Sequence, residues 1–212
     1  MKLEIPRLEA PISGPEAIAQ VLKEQAATPL AFAPWGKPDT IHDVNFKIAH
    51  NDAYIFLHYT VREDEILARY SRHNEPVYTD SCVEFFIIFD GEENYYNFEF
   101  NSLGTCLSAN GPDREKRASQ SVEQLSKIKT QTKIQRLNGQ ESPRFEWQLS
   151  IQLPIELFGN SQLSKLSGKN ARANFYKCGD DLSKPHFLSW NNIETPQPDF
   201  HQPPYFGEVV FL

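Results

Sequence analysis

The feature that most constrains this chain is a pair of neighbouring strand-like runs with different patterns. Cys82-Val83-Glu84-Phe85-Phe86-Ile87-Ile88-Phe89 is apolar at alternate positions on both sides, with Glu84 the one interruption. A strand of that kind must be covered on both faces. After the turn signal Asp90-Gly91 comes Tyr95-Tyr96-Asn97-Phe98-Glu99-Phe100-Asn101, with Tyr96, Phe98 and Phe100 on one side and Asn97, Glu99 and Asn101 on the other. One side of that run is core and the other is polar. Seven further runs, 44–50, 53–62, 105–109, 128–135, 145–153, 171–178 and 208–212, share the aromatic and β-branched enrichment of strands. Only one segment has a helical period: Ser13-Gly14-Pro15-Glu16 matches a capping box, and Ile18, Val21, Leu22 and Ala26 follow it. That helix is expected to pack on the outside of a sheet. A parallel sheet would need helices between its strands, so the expected fold is an all-β antiparallel sandwich, with a jelly-roll or immunoglobulin-like path and one short N-terminal helix.

Proline marks the ends. Six of the 15 prolines lie in the first 38 residues and five between Pro185 and Pro204, whereas the other four sit near edges of apolar runs. A proline-rich lead over 1–38, an irregular tail and no internal repeat or boundary give one expected domain, 1–212. Size scaling predicts a folded surface of roughly 10,000 Å², ample for a full core.

Charge removes several partners. With 21 basic and 28 acidic side chains the net charge is −7, against the basic balance that nucleic-acid and anionic-lipid binders use. Residues 112–144 hold eight basic and four acidic side chains but no aromatic platform for bases, so solvated faces are the expected reading. No apolar run reaches signal-peptide or membrane-span length, which makes a cytoplasmic location the expectation. Cys82, Cys106 and Cys178 are distant and form no CxxC pair; they read as reduced, semi-buried thiols.

Nucleophile-elbow, phosphate-loop, dinucleotide and zincin motifs are absent. Glu84 and Glu99 sit on what looks like one hairpin, and two carboxyls roughly 5–10 Å apart can hydrolyse a glycoside. The plainer reading of a glutamate on an interior strand is a hydrogen-bonding anchor. Asp199-Phe200-His201 with His186 upstream has the residue types of a metal site, but six scattered histidines produce such groupings by chance. Asp180-Asp181 reads as a solvated turn rather than a calcium loop. No catalytic or metal-ligating set is therefore expected.

The stretch Pro76-Val77-Tyr78-Thr79-Asp80-Ser81-Cys82-Val83-Glu84-Phe85-Phe86 resembles the segment that identifies family 9 carbohydrate-binding modules, an aromatic followed by Asp-Ser-x-Val-Glu entering a strand. Tyr95–Asn101 with Gly104-Thr105, Ala173-Asn174-Phe175-Tyr176-Lys177-Cys178-Gly179-Asp180, Pro185-His186-Phe187-Leu188-Ser189-Trp190, Pro198-Asp199-Phe200-His201 and Phe206-Gly207-Glu208 are similar to its short, stand-alone bacterial branch. The resemblance runs from about Phe32 to Leu212. It implies a DOMON-like sandwich that holds a terminal sugar ring between two aromatic side chains, with carboxylate, amide and arginine groups on the hydroxyls. It implies no cofactor beyond a structural calcium. By position, Tyr78 stands where the family has its first clamp aromatic, usually tryptophan; Trp190 corresponds to the second, and Glu84 to a hydroxyl-binding carboxylate. Arg114 and Arg172 are the candidates for the arginine.

A sugar presents C–H groups on its faces and hydroxyls on its rim, so its site needs flat apolar platforms and convergent polar groups. Tyr78, Asp80, Glu84, Trp190, Asn191 and Asn192 are of the right types, and His186 joins them from the Pro185–Trp190 stretch. Trp147 reads as core, and Trp35 as packing of the amino-terminal segment. The expected function is non-catalytic binding of a small saccharide or glycan end. The alternatives are a hydrolase using Glu84 and Glu99, a haem binder that would lack methionine ligation because Met1 is the only methionine, and a scaffold whose site has decayed.

Overall fold

The computed structural model describes residues 1–9, 12–36, 43–139 and 141–212. Thirteen described strands form two sheets. The larger is ordered β1 (Lys2–Ile5), β13 (Gly207–Phe211), β11 (Asn170–Cys178), β5 (Cys82–Phe89), β6 (Tyr95–Asn101), β7 (Cys106–Gly111) and β8 (Ala118–Ser119), with β12 (Phe187–Ser189) also on β11. The smaller is ordered β2 (Thr28–Pro29), β3 (Asp43–His50), β4 (Tyr54–Glu63), β10 (Phe145–Pro154) and β9 (Lys129–Arg136). Every pairing is antiparallel except β1 with β13. The expected sandwich is present, and its accessible surface of 10,285 Å² is that of a fully collapsed chain of this size.

Period-two alternation sets the layers. Val83, Phe85, Ile87 and Phe89 of β5, Tyr96, Phe98 and Phe100 of β6 and Phe175 of β11 meet Phe46, Leu57, Tyr59, Trp147 and Leu149 of the smaller sheet in one core. Phe46 stacks on Phe175 across the layers at 3.8 Å between ring centroids, and the Tyr59 hydroxyl donates to the Glu84 backbone carbonyl at 2.8 Å. Trp147 is core, as its strand setting predicts.

The opposite faces are closed differently. On the smaller sheet, helix α1 (Pro15–Val21) lays Ile18 and Leu22 on Ala49 and Phe56. The expected capping box is not formed: Gly14 is the N-cap and no side chain caps it, and the box is found instead at Ser121 and Gln124 of α2 (Val122–Leu125). On the larger sheet, the second cover that β5 demands is a layer of loops rather than strands. Val77, Ile193, Phe200 and Phe206 from those loops pack on Cys82, Phe86, Tyr95, Tyr176 and Cys178. The polar side of β6 is consequently buried as well.

Candidate functional site

Beneath the loop layer, the polar outer face of β5 and β6 floors a cavity of about 110 Å³. Glu84 and Glu99 are directly opposed in the ladder, both are buried, and both line the cavity. Its walls are aromatic. Tyr78 comes from the single turn Val77–Thr79 that delivers the chain into β5, and Phe200 comes from the proline-rich tail and stacks on Tyr176 at 4.1 Å. Trp35 leans on Phe200 at 5.6 Å and meets Phe187 edge-on at 6.0 Å, while its indole N–H donates to the Thr195 carbonyl at 2.8 Å. The rings are thus held in place before any ligand arrives, which lowers the ordering cost of binding.

Charge is unevenly compensated on this floor. The Cys178 thiol donates to Glu84 Oε1 at 3.0 Å; burial, reinforced by Cys178 and Glu99, holds the Glu84 carboxyl well above the usual carboxylate range. Burial also pushes Glu99 up to about 7, against the opposing pull of Arg117 at 3.6 Å and of the Asn97 side-chain amide, which donates at 3.0 Å. Arg117 extends to both ring nitrogens of His201, at 3.2 and 3.1 Å, and the Tyr95 hydroxyl lies 2.8 Å from Nδ1. Burial, with Arg117 and Arg114 adding to it, pushes His201 down to about 3, so the ring is neutral. Asp180 is raised by burial and by its neighbour Asp181. A floor of protonatable carboxyls beside arginine donors can both donate to and accept from hydroxyl groups, each of which does both.

The predicted site residues do not all meet here. Tyr78 and Glu84 line the cavity, and so does Arg114. Trp190 does not: its indole is 2 % exposed, packs edge-on against Phe175 at 5.6 Å inside the sandwich, and closes on Gly207 so tightly that a Cβ there would stand 2.6 Å from the ring. The polar sequence around Trp190 misleads because the strand β12 turns the ring inward. Asp80 is fully buried behind the floor, accepting from the backbone N–H groups of Arg69 and Tyr70 at 2.9 and 3.1 Å and from the Asn101 amide at 3.0 Å; it anchors the loop that carries Tyr78. Asn191 is engaged with the Tyr205 carbonyl at 2.8 Å and with Asn174 at 2.9 Å. His186 lies at the end of the inter-sheet core, 2.9 Å from Lys177 Nζ, on a different cavity. Arg172 points to the Pro203 carbonyl at 3.2 Å.

Other residues enter that the sequence reading set aside. Trp35, read as amino-terminal packing, is a wall. Asp199 and His201, read as a chance metal pair, are on the rim, where Asp199 accepts from the His201 backbone N–H at 2.9 Å and the Gln202 amide at 2.6 Å. Arg117 belongs to the basic excess over 112–144 that reads as solvated, and that excess was the available signal. As for the calcium that the resemblance implies, Asp181 is tied to Arg69 at 2.7 Å, and among the described residues the converging trio of His, Cys, Asp and Glu side chains is Cys82, Glu84 and Cys178. Two sulfurs do not suit a cation that takes six to eight oxygens.

The sequence model described as carbohydrate-binding family 9 matches residues 16–211. A protein from Bacteroides uniformis ATCC 8492 assigned to carbohydrate binding is similar in structure, with a TM-score of 0.87 and 35% identity over 100% of this chain and 99% of that one. Two structures of a family 9 carbohydrate-binding module from Caldicellulosiruptor kristjanssonii share the fold. One, in complex with glucose, has a TM-score of 0.65 and 11% identity over 100% of this chain and 96% of that one. The other, with cellotriose, has 0.59 and 13% over 100% and 93%. No curated protein matches the chain at a significant level.

Proposed function

The chain belongs to carbohydrate-binding family 9 and binds carbohydrate without cleaving it; from its geometry we propose that the cavity over Glu84 and Glu99 is the site, and that it takes a terminal sugar ring of the glucose or short glucan class. One observation carries this reading: pre-positioned flat rings, Trp35, Tyr78 and Phe200, stand over a floor of buried carboxyls with Arg114 and Arg117 at the edge. In this reading Tyr78 stays the platform that the resemblance implies, and Trp35, which lines the cavity, takes the part that the resemblance gives to the buried Trp190. The glucose and cellotriose held in the two Caldicellulosiruptor kristjanssonii structures support the ligand class.

If each ring face contributes ~0.5–1.5 kcal/mol beyond its buried area and each rim hydrogen bond ~0.5–1.5 kcal/mol net, two faces and three or four bonds place affinity between millimolar and micromolar. Calorimetric titration with glucose and cello-oligosaccharides, in chelator, is expected to give one site that Tyr78→Ala weakens at least about tenfold. No heat up to tens of millimolar sugar, or sugar bound and then hydrolysed with loss of that activity in Glu99→Gln, contradicts the proposal.

A further inference from the structure

We infer that Cys82, Glu84 and Cys178 form a binding site for one thiophilic divalent cation of the zinc–cadmium class. The inference does not rest on the saccharide reading. Cys82 and Cys178 are Cα partners across the antiparallel β5–β11 ladder, so their side chains leave the same face of the sheet side by side. Glu84, two residues further along β5, projects from that face too. The two sulfurs and one carboxylate oxygen lie within 4.8 Å of one another, and all three residues are buried.

In a tetrahedral site with Zn–S of about 2.3 Å and Zn–O of about 2.0–2.2 Å, ligand atoms stand about 3.3–3.8 Å apart. Small side-chain rotations separate that arrangement from the present one, in which Cys178 Sγ and Glu84 Oε1 are already 3.0 Å apart. Three protein ligands leave a fourth position. Glu84 and Cys178 both line the cavity, which supplies an entry path and room for a water as the fourth donor. Two thiolates select soft or borderline cations over calcium and magnesium. Binding is an exchange: the two S–H bonds and the O–H bond of the Glu84 carboxyl break, and two metal–sulfur bonds and one metal–oxygen bond form. The displaced protons leave to solvent, so no oxidant or reductant is required. Cys106, the remaining cysteine, is buried on β7 in the inter-sheet core and belongs to no such grouping.

The test is a cadmium titration of reduced, chelator-stripped protein, followed by the thiolate-to-cadmium charge-transfer band in the ultraviolet. The expected result is one equivalent bound with the band present. Binding is unchanged in Cys106→Ser and weakened more than about tenfold in Cys82→Ser and in Cys178→Ser. Glu84→Gln, which keeps both thiols, serves where a serine variant loses its circular-dichroism signal; it retains the band at lower affinity. Absence of the band in folded wild-type protein, or a band undiminished by Cys82→Ser and Cys178→Ser, overturns the inference. Because sugar titrations are made in chelator and this one without sugar, each proposal fails separately.

Discussion

Two buried glutamates, Glu63 and Glu84, lie in the same sandwich and are treated in opposite ways. Glu63 ends β4 inside the inter-sheet core, where Lys177 Nζ stands 2.9 Å from its carboxylate and the Trp147 indole N–H donates to it at 2.6 Å. Lys177 spends its other donors inward, on the Cys178 carbonyl at 2.8 Å and beside His186 at 2.9 Å. That charge is matched by protein. Glu84 lies on the outer face of the neighbouring layer and, among the described residues, has the Cys178 thiol as its side-chain hydrogen-bond partner; burial holds its carboxyl up toward the neutral form. The contrast separates a carboxyl that ties two sheets together from one left with hydrogen-bonding capacity facing a cavity. Burial and residue type are shared, so the presence of a cationic partner, Lys177 beside Glu63, distinguishes the two carboxyls.

The largest effect should come from breaking the matched pair. Lys177→Met removes the ammonium paired with buried Glu63, leaving the Trp147 N–H and His186 Nε2 at 3.8 Å beside the carboxylate, and is expected to cost about 3–5 kcal/mol in denaturant unfolding, with sugar affinity of the folded protein unchanged. A loss below about 1 kcal/mol would erase the distinction. Next, Glu84→Gln replaces a carboxyl already biased to neutrality with a neutral isostere. Its expected stability change is within about 1 kcal/mol, while sugar affinity falls about tenfold, as loss of one buried hydrogen-bonding group implies; the reverse ranking would make Glu84 the structural residue.

A third effect is electrostatic and builds up gradually with pH. His201, held neutral by burial beside Arg117 and Arg114, has a folded pKa of about 3 against an unfolded value of 6.5. A depressed pKa gives stability that is fully present above pH 6.5 and is lost as pH falls toward 3, with a slope of at most about 1.4 kcal/mol per pH unit. Unfolding free energies from pH 7 to 4 should therefore fall less in His201→Gln than in wild type. Equal slopes would show that the ring does not titrate as its surroundings require.

Strand patterns were fully legible where both faces were informative. The bounds of Cys82–Phe89 and Tyr95–Asn101 coincide with β5 and β6, because alternation is a property of the residues themselves. The two-residue strands β2 and β8 carry too little alternation to read, and the parallel contact of β1 with β13 depends on two distant segments of the chain meeting. Within the site, Tyr78 and Glu84 were legible because the stretch 76–86 resembles a family segment, and both line the cavity. Trp35, Arg117 and His201 were not, since three loops bring them together from positions far apart in sequence. Trp190 shows the limit most clearly: its polar neighbours Ser189 and Asn191 describe the backbone's surroundings, whereas one strand register decides which side its ring occupies.

The three tryptophans report separately on the cavity wall, the Glu63 anchor and the inter-sheet core, so their indole N–H resonances test the central claim most directly. On titration with glucose or cellotriose in chelator, the Trp35 resonance should move progressively while those of Trp147 and Trp190 stay in place. Movement of Trp190 with Trp35 unmoved, or three unmoved indoles at saturating sugar, would contradict the assignment of this cavity.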